Sequence, residues 1–330
     1  MLIATHDGTF HADETTACAI ISYLYDNVQV IRSRDPETLE KADLVIDVSL
    51  KNDNKHYDHH SKLFTRCRPN GVRYATAGLM WEKFGVDFLK KIVKKELPFR
   101  PTDAVIDAAF DRIDREIMVM VDLNDNGQLT DYAEQVADAQ TDGERAVRDR
   151  LSEFFQGSPD IPYIVAMQNL PAQTAQGQDQ AFMATVKMLK QILTAAAINA
   201  LHTESGIAKV IDAYTGGEIL IIQDRLPWSQ AVLGHPDVFK KCLLAVYPDR
   251  NGRWRVQSLP VSKALRFKNR LTAPEKWRGL QGPELDAVTG LKNTNFVHRS
   301  GFTGGATTYE DNLALAQLWL KHGERYQGQA

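Results

Sequence analysis

A chain of 330 residues, 43% hydrophobic and 25% charged, has the composition of a soluble globular protein and length enough for two cores. A formal net charge of -3 excludes a wholesale polyelectrolyte binder but leaves room for a local basic face. Three cysteines, Cys18, Cys67 and Cys242, with no Cys-x-x-Cys pair, exclude a disulfide framework or zinc knuckle and point to a reducing compartment.

The N-terminus begins as a strand, Leu2 to Ala4, without a basic run leading an apolar stretch. No apolar window approaches the roughly 20 residues of a transmembrane helix, so a cytoplasmic protein without a membrane partner is expected. The strand runs into Thr5-His6-Asp7-Gly8-Thr9-Phe10-His11-Ala12-Asp13-Glu14. Ala17, Ile20, Ile21 and Leu24 then recur at helical spacing, which starts a helix near Asp13. Asp13 and Glu14 in a first helical turn have a structural reason in the macrodipole, whereas His6 and His11 have none. Further strands are expected at Val28–Ile31 and Leu44–Val48. Strands alternating with helices predict βαβ units and a parallel sheet, whose ligands gather beyond the carboxyl ends of the strands. His6, His11, Asp13 and Asp47 fall at that edge, and Tyr57-Asp58-His59-His60 follows. Three adjacent metal-capable side chains are hard to explain by packing.

Helices are predicted at 75–84 and 86–97. A longer one follows Pro101-Thr102, with a core stripe of Val105, Ala109, Ile113, Ile117 and Met120. It delivers Asp122-Leu123-Asn124-Asp125-Asn126-Gly127, whose spacing does not fit a calcium-binding EF-hand loop. Residues 131–153 read as an exposed polar helix. The stretch 156–180, with Gly157, Pro159, Pro162 and Pro171, reads as an interdomain connection leading to an amphipathic helix over 180–203 (Phe182, Val186, Leu189, Ile192, Leu193). The expected organisation is therefore an N-terminal domain over 1–155, a connecting segment over 156–205 and a smaller domain over 206–330.

The C-terminal part predicts strands at 208–213, 218–223, 242–247 and 253–259. Asn251-Gly252 signals a hairpin between the last two. A further strand at Asn295–His298 precedes Arg299-Ser300-Gly301-Phe302-Thr303-Gly304-Gly305, read as a glycine-rich loop opening a final helix at 309–321. Such a loop can present backbone N–H groups to a phosphate. Lys and Arg outnumber Asp and Glu between 225 and 300, and the reverse holds over 100–160. Basic residues interleaved with Trp228, Trp254 and Trp277 suit a nucleic-acid backbone and stacked bases, although core tryptophans in a solvated face give the same pattern.

His6, His11, Asp13, Asp47, Asp58, His59, His60, Asp122 and Asp125 form a mixed nitrogen and oxygen set without thiolate. Two adjacent divalent ions need about this many ligands and one bridging carboxylate. Carboxylate-heavy sites with a few imidazoles suit manganese or magnesium better than zinc. His11 to Glu14, Asp47, Asp58-His59-His60 and Asp122 resemble motifs of the DHH phosphoesterase superfamily. The closer resemblance is to the melanocyte-proliferating-gene exonuclease family. It rests on Thr5–Glu14, Arg32–Pro36, Tyr57–His60, Val121–Gly127, Pro227-Trp228, Tyr247–Val256, Trp277–Leu280 and Phe296–Gly305, nearly the whole chain.

That resemblance implies a parallel α/β DHH-type metal domain followed by a smaller α+β substrate-binding domain. It implies a metal-dependent 3′-5′ exoribonuclease acting on RNA or short oligonucleotides. One ion would be held by His6 or Asp7, His11, Asp13 and Asp47, and the second by Asp13, Asp47, His59 and either Asp122 or Asp125, with Asp47 bridging. Asp58 would orient His59, and His60 would donate to a phosphate oxygen or the leaving group. His298, Arg299, Ser300, Gly301, Gly304 and Gly305 would grip the terminal phosphate. Arg32 and Arg34, at a strand end near the site, are candidates to meet a phosphate bidentately. Two departures stand out. His11 replaces the middle Asp of the superfamily's opening pattern, with His6 one residue too far upstream. Ala306 follows the glycine pair, where relatives carry His. A small-molecule phosphatase or pyrophosphatase, or a non-catalytic RNA-binding regulator, are the alternative functions, and a homodimer is left open.

Overall fold

Short runs at Leu2–Thr5 (β1), Gln29–Arg32 (β2), Leu44–Ile46 (β3) and His56–Tyr57 (β4) pair in the order β2-β1-β3-β4, all parallel. The central strands β1 and β3 are almost wholly buried, as apolar runs covered on both faces must be, while edge strand β2 alternates between exposed and half-buried positions. The computed structural model describes residues 1–128, 141, 143, 145–146, 159–171 and 174–328, and divides into two compact units, Met1–Leu201 and His202–Ala330.

Helix α1 (Ala12–Leu24) links β1 to β2 and α2 (Pro36–Lys41) links β2 to β3, the crossovers that parallel pairing requires. Helix α3 is continuous over Thr76–Glu96, where two helices were expected. Gly85 sits inside it for packing and not as a break. A Cβ there would lie 2.8 Å from ring atoms of Trp81 and Phe110, which stack with centroids 5.4 Å apart.

Helix α4 (Asp103–Ile113), capped by the Thr102 side chain, passes through a π turn over Asp114–Met118 into α5 (Val119–Asp125). Val105, Ala109 and Ile113 are buried as predicted. The extra residue in the π turn then rotates the chain, so Met118 and Val121 are fully buried, while Ile117 packs against the core half-buried and Met120 stays half-buried. The same rotation buries Asp122 completely.

The predicted helix over 131–153 lies largely outside the described residues. Helices α6 (Ile161–Ala166) and α7 (Ala175–Ala213) follow. Val165, Phe182, Val186, Leu189 and Leu193, from the segment read as a connection, belong to the first core. By length and composition α7 could span a bilayer, against the expectation that no segment would, yet that apolar stripe is buried against protein. It also continues through 208–213, where a strand was expected, because Ile207 and Val210 keep helical spacing into the second unit's core.

The second unit comprises β5 (Ile219–Ile221), α8 (Trp228–Gly234), β6 (Leu244–Pro248), β7 (Trp254–Ser258), β8 (Leu271–Thr272), α9 (Gly282–Thr289), β9 (Thr294–Val297), β10 (Thr303–Ala306), α10 (Tyr309–His322) and β11 (Glu324–Arg325). Five strands form one sheet in the order β5-β6-β7-β10-β9, antiparallel except for β5 and β6. Alternation along the strands separates two cores. Leu244, Val246, Val256 and Val297 meet Leu315 and Trp319 of α10, while Leu220, Ala245 and Leu259 meet Trp228 and Val232 of α8. Asn251-Gly252 lies in the β6–β7 turn as expected. Gly304 and Gly305 do not form a loop opening a helix. They lie in β10, bonded between β7 and β9, and the turn before them is His298–Phe302.

Candidate metal centre

Strands β1, β3 and β4 end on one edge of the sheet, and each hands the chain to a side chain of ligand type. His6 follows β1, Asp47 follows β3, and Asp58-His59-His60 follow β4. The start of α1 adds His11, Asp13 and Glu14, and the end of α5 adds Asp125. Asp47 is central. Its Oδ2 lies 3.6 Å from His6 Nε2, and its Oδ1 lies 3.6 Å from His59 Nε2 and 3.2 Å from His60 Nδ1. His59 Nε2 is 2.9 Å from Asp125 Oδ2 and 3.9 Å from Asp13 Oδ2, and His6 Nε2 is 3.1 Å from Glu14 Oε1. Three candidate clusters result among the described residues, two of them sharing His59: His6, His11 and Glu14; Asp47, His59 and His60; and Asp13, His59 and Asp125, each with ligand atoms within 4.8 Å of one another.

The surrounding backbone holds this geometry at some cost. Asp47 has a φ of 57°, in the left-handed region, a strain of about 1–3 kcal/mol that persists where surrounding structure enforces it. Here its N–H is bonded to the Tyr57 carbonyl at 2.9 Å. Asp13 takes hydrogen bonds from the Thr76 and Ala77 N–H groups at the start of α3, at 2.9 and 2.5 Å. Those are donors that the first helical turn leaves unpaired.

Both inward histidines are turned the same way. His6 Nδ1 donates to the Asp7 carbonyl at 2.9 Å, and His59 Nδ1 donates to Asn126 Oδ1 at 3.2 Å. The Asn126 amide is itself fixed, because its Nδ2 donates to the carbonyls of Asp122 (3.0 Å) and Arg73 (3.1 Å). His59 Nε2 is buried with no hydrogen-bond partner among the described residues, aimed among carboxylates with Asp125 Oδ2 at 2.9 Å. A buried lone pair facing anions is unfavourable unless a proton or cation lies between them, so the donor set fits a divalent metal. Asn126→Leu is expected to lower divalent-metal affinity by about 10–100-fold, the usual effect of losing a partner that orients a ligand. Isothermal titration with manganese would read it, and unchanged affinity would remove Asn126 from this role.

Charge balance points the same way. Burial alone would lower His6, but hydrogen bonds to Asp47 and Glu14 push it up to about 10. Hydrogen bonds to Asp47 and Asp58 push His60 up to about 10 as well. Burial would raise Asp47, yet His6 and His60 hold it well below the usual carboxylate range. Burial, followed by the charges of Asp125, Asp47 and Asp122, pushes Asp13 well up, and burial raises Glu14. Protons on histidines therefore offset the carboxylates in the metal-free protein, and metal must compete with them.

Glu14→Gln tests this balance. A carboxyl whose folded pKa lies above its unfolded value costs stability at neutral pH, and the cost fades as pH falls below the unfolded value. The amide keeps an oxygen that can accept from both the His11 N–H and the protonated His6 Nε2, which lie 2.9 and 3.1 Å from Glu14 Oε1. The metal-free variant is expected to melt higher at pH 7, by about 2–4 °C per kcal/mol gained, with the gain vanishing near pH 4. A lower melting temperature at pH 7 would contradict it.

Several expected roles change. Asp122 does not face the histidines: it accepts from Arg68 Nη1 at 2.5 Å and from the Gly78 N–H at 3.0 Å, leaving Asp125 beside His59. Asp58 orients His60 and not His59, accepting from the His60 N–H at 2.9 Å and its Nδ1 at 3.0 Å, while Leu50 N–H binds the other oxygen. Asp7 turns outward to Arg34, which is exposed. Arg32 is committed to the fold: it donates to the Gly8 carbonyl and to Asp179, and stacks on Phe10 and Phe182. A guanidinium so engaged is not free for a phosphate.

In the second unit, His298 Nδ1 accepts from the Ser300 N–H at 3.1 Å, and Arg299 and Ser300 are exposed. Trp228 and Trp277 are core residues, Trp254 is half-buried, and the fully displayed aromatic of the basic stretch is Phe267. Glu14, Asn126 and Arg68 were missed as site residues. Glu14 stands at the end of the His11–Glu14 motif and Asn126 directly after Asp125, whereas Arg68 carries no signal in the sequence.

Comparison with known proteins bears on the whole chain. The model of a family described as "Uncharacterised protein family (UPF0160)" matches residues 2–320. The MYG1 exonuclease of Mus musculus is 32% identical over 96% of this chain and 84% of its own length. That of Homo sapiens is 30% identical over 96% of this chain and 85% of its own length. The MYG1 protein C694.04c of Schizosaccharomyces pombe is 29% identical over 96% of this chain and 97% of its own length. A crystal structure of an uncharacterized protein from Helicobacter pylori G27 aligns at a TM-score of 0.20 with 12% identity, covering 98% of this chain and 99% of its own, too loosely to inform the fold. The chain belongs to the UPF0160 family, to which its MYG1 relatives tie it along almost its entire length.

Proposed function

We propose that this protein is a divalent-metal-dependent phosphodiesterase of DHH type that shortens RNA or short oligonucleotides from the 3′ end. The observation that carries the reading is the buried, unpartnered His59 Nε2 among Asp13, Asp47 and Asp125, with the His6, His11 and Glu14 cluster joined to it through Asp47. The nuclease activity named for the mammalian relatives supports it. Two bound divalent ions, manganese in the first instance, would acidify a water and neutralise charge on the phosphoryl group. Asp47, placed between both clusters, would bridge them.

The chain's own groups do the rest. Asp58 and Asp47 hold His60 through Nδ1, which leaves Nε2 to donate to a phosphoryl oxygen or the leaving oxygen. His60 is half exposed, as a group that meets substrate must be. The exposed Arg299 and Ser300 of the His298–Gly301 turn would take the terminal phosphate, without the glycine pair, whose backbone is bonded within the sheet. Incubating 5′-labelled RNA with the protein, with manganese or a chelator, should give a manganese-dependent ladder shortening from the 3′ end. Intact RNA with hydrolysis of small phosphate esters would instead favour the phosphatase reading.

A further inference from the structure

Away from the metal cluster, the second unit contains a hollow of about 550 Å³, within the size range of small-molecule sites. It is lined by the Arg225–Gln230 segment with Tyr247 and Gln257, and none of these residues is acidic. Tyr247 and Gln257 stand on adjacent strands and on one face of the sheet, because Gln257 pairs with Ala245, two residues from Tyr247.

Their polar atoms are in contact. The Tyr247 hydroxyl donates to Gln257 Oε1 at 2.7 Å. That contact turns the Gln257 amide oxygen toward Tyr247 and leaves its two N–H groups for a ligand. Trp228 and Tyr247, with ring centroids 5.6 Å apart, supply an aromatic wall. Arg225 is exposed at the rim and forms no ion pair among the described residues. A fitting ligand is planar, brings hydrogen-bond acceptors and carries negative charge.

We propose that this hollow is a nucleotide subsite, taking the base of an RNA nucleotide against Tyr247 and Gln257 and its phosphate against Arg225. The inference rests on the nuclease reading and deepens it, adding a contact to the substrate remote in sequence from the metal ligands. The Gln257 N–H groups are donors, so a base would meet them through its carbonyl or ring-nitrogen acceptors.

The test is binding of uridine 5′-monophosphate in the presence of a chelator, followed by NMR and calorimetry, with ribose 5-phosphate as comparator. The parent protein should bind the nucleotide and should bind ribose 5-phosphate more weakly. Gln257→Leu and Arg225→Ala should each weaken nucleotide binding about tenfold, the loss of one or two hydrogen bonds with a charged partner in the second case. Arg225 is exposed, so its variant stays informative if Gln257→Leu fails to fold. Equal binding of ribose 5-phosphate, or variants that bind like the parent, would overturn the subsite even if the protein shortens RNA. Nucleotide binding lost in the variants, with RNA left intact in manganese, would uphold the subsite and overturn the hydrolytic reading.

Discussion

His59→Ala is expected to abolish both the response to divalent metal and the hydrolysis it supports. His59 Nε2 is the atom common to two of the three ligand clusters: it lies 2.9 Å from Asp125 and 3.6 Å from Asp47 and has no hydrogen-bond partner. Removing an orienting partner costs about 10–100-fold in affinity or activity, so losing the ligand itself should exceed a hundredfold. A stability readout separates metal binding from chemistry. Metal at a hundred times its dissociation constant stabilises a folded protein by about 2.7 kcal/mol, and the parent's melting temperature should rise accordingly. The variant's should not. Calorimetry with and without manganese, beside an RNA assay, makes the measurement. A variant that keeps the metal-induced rise would mean that His59 is not a ligand.

The second large effect is on the fold. Gly78→Ala is expected to destabilise by about 3 kcal/mol or more, as breaking a buried ion pair does. A Cβ at position 78 would collide with Asp122 Oδ2 and lie 2.8 Å from Arg68 Nη2. Neither neighbour can retreat. Arg68 is 5% exposed, bonds Asp114 through Nε (2.8 Å) and Nη2 (2.7 Å), and lies over the Tyr74 ring. Asp122 is fully buried and takes its second hydrogen bond from the Gly78 N–H itself. This brace ties the loop before α3 to α4 and α5, and the Asp122 carbonyl fixes Asn126 behind His59. Loss of the brace should therefore lower metal affinity as well as the urea midpoint. Gly85→Ala, whose Cβ would meet only ring atoms of Trp81 and Phe110, should cost less, about 1–3 kcal/mol. Equal midpoints for Gly78→Ala and the parent would remove the brace from the account.

The parallel sheet and the collection of ligands at its edge could be read directly from residue order. Apolar runs ending on His6, Asp47 and Asp58-His59-His60 announce both where the strands stop and what they present. Period and strand-end chemistry are local properties, and local properties are written in neighbouring residues. The strands near 218–223, 242–247, 253–259 and 295–298 and the last helix were readable for the same reason, whereas 208–213 proved helical and β10 reads as a loop in the sequence.

What each side chain does there was decided by contacts between distant segments. Asp122 and Asp125 are equivalent in sequence, and a single π turn at 114–118 sends one to Arg68 and the other to His59. Asp58 precedes both histidines, but the path of the chain gives it His60 and leaves His59 to Asn126, 67 residues away. Arg32 looked available until Phe10, Phe182 and Asp179 closed around it. The glycine pair looked like a phosphate loop until β7 and β9 took its backbone into a sheet. Residue order set most of the inventory and the edge on which it gathers, because periodicity and strand ends are short-range. Tertiary structure alone decided the pairing, because burial forces each polar group to find a partner, and which one is within reach depends on the whole fold.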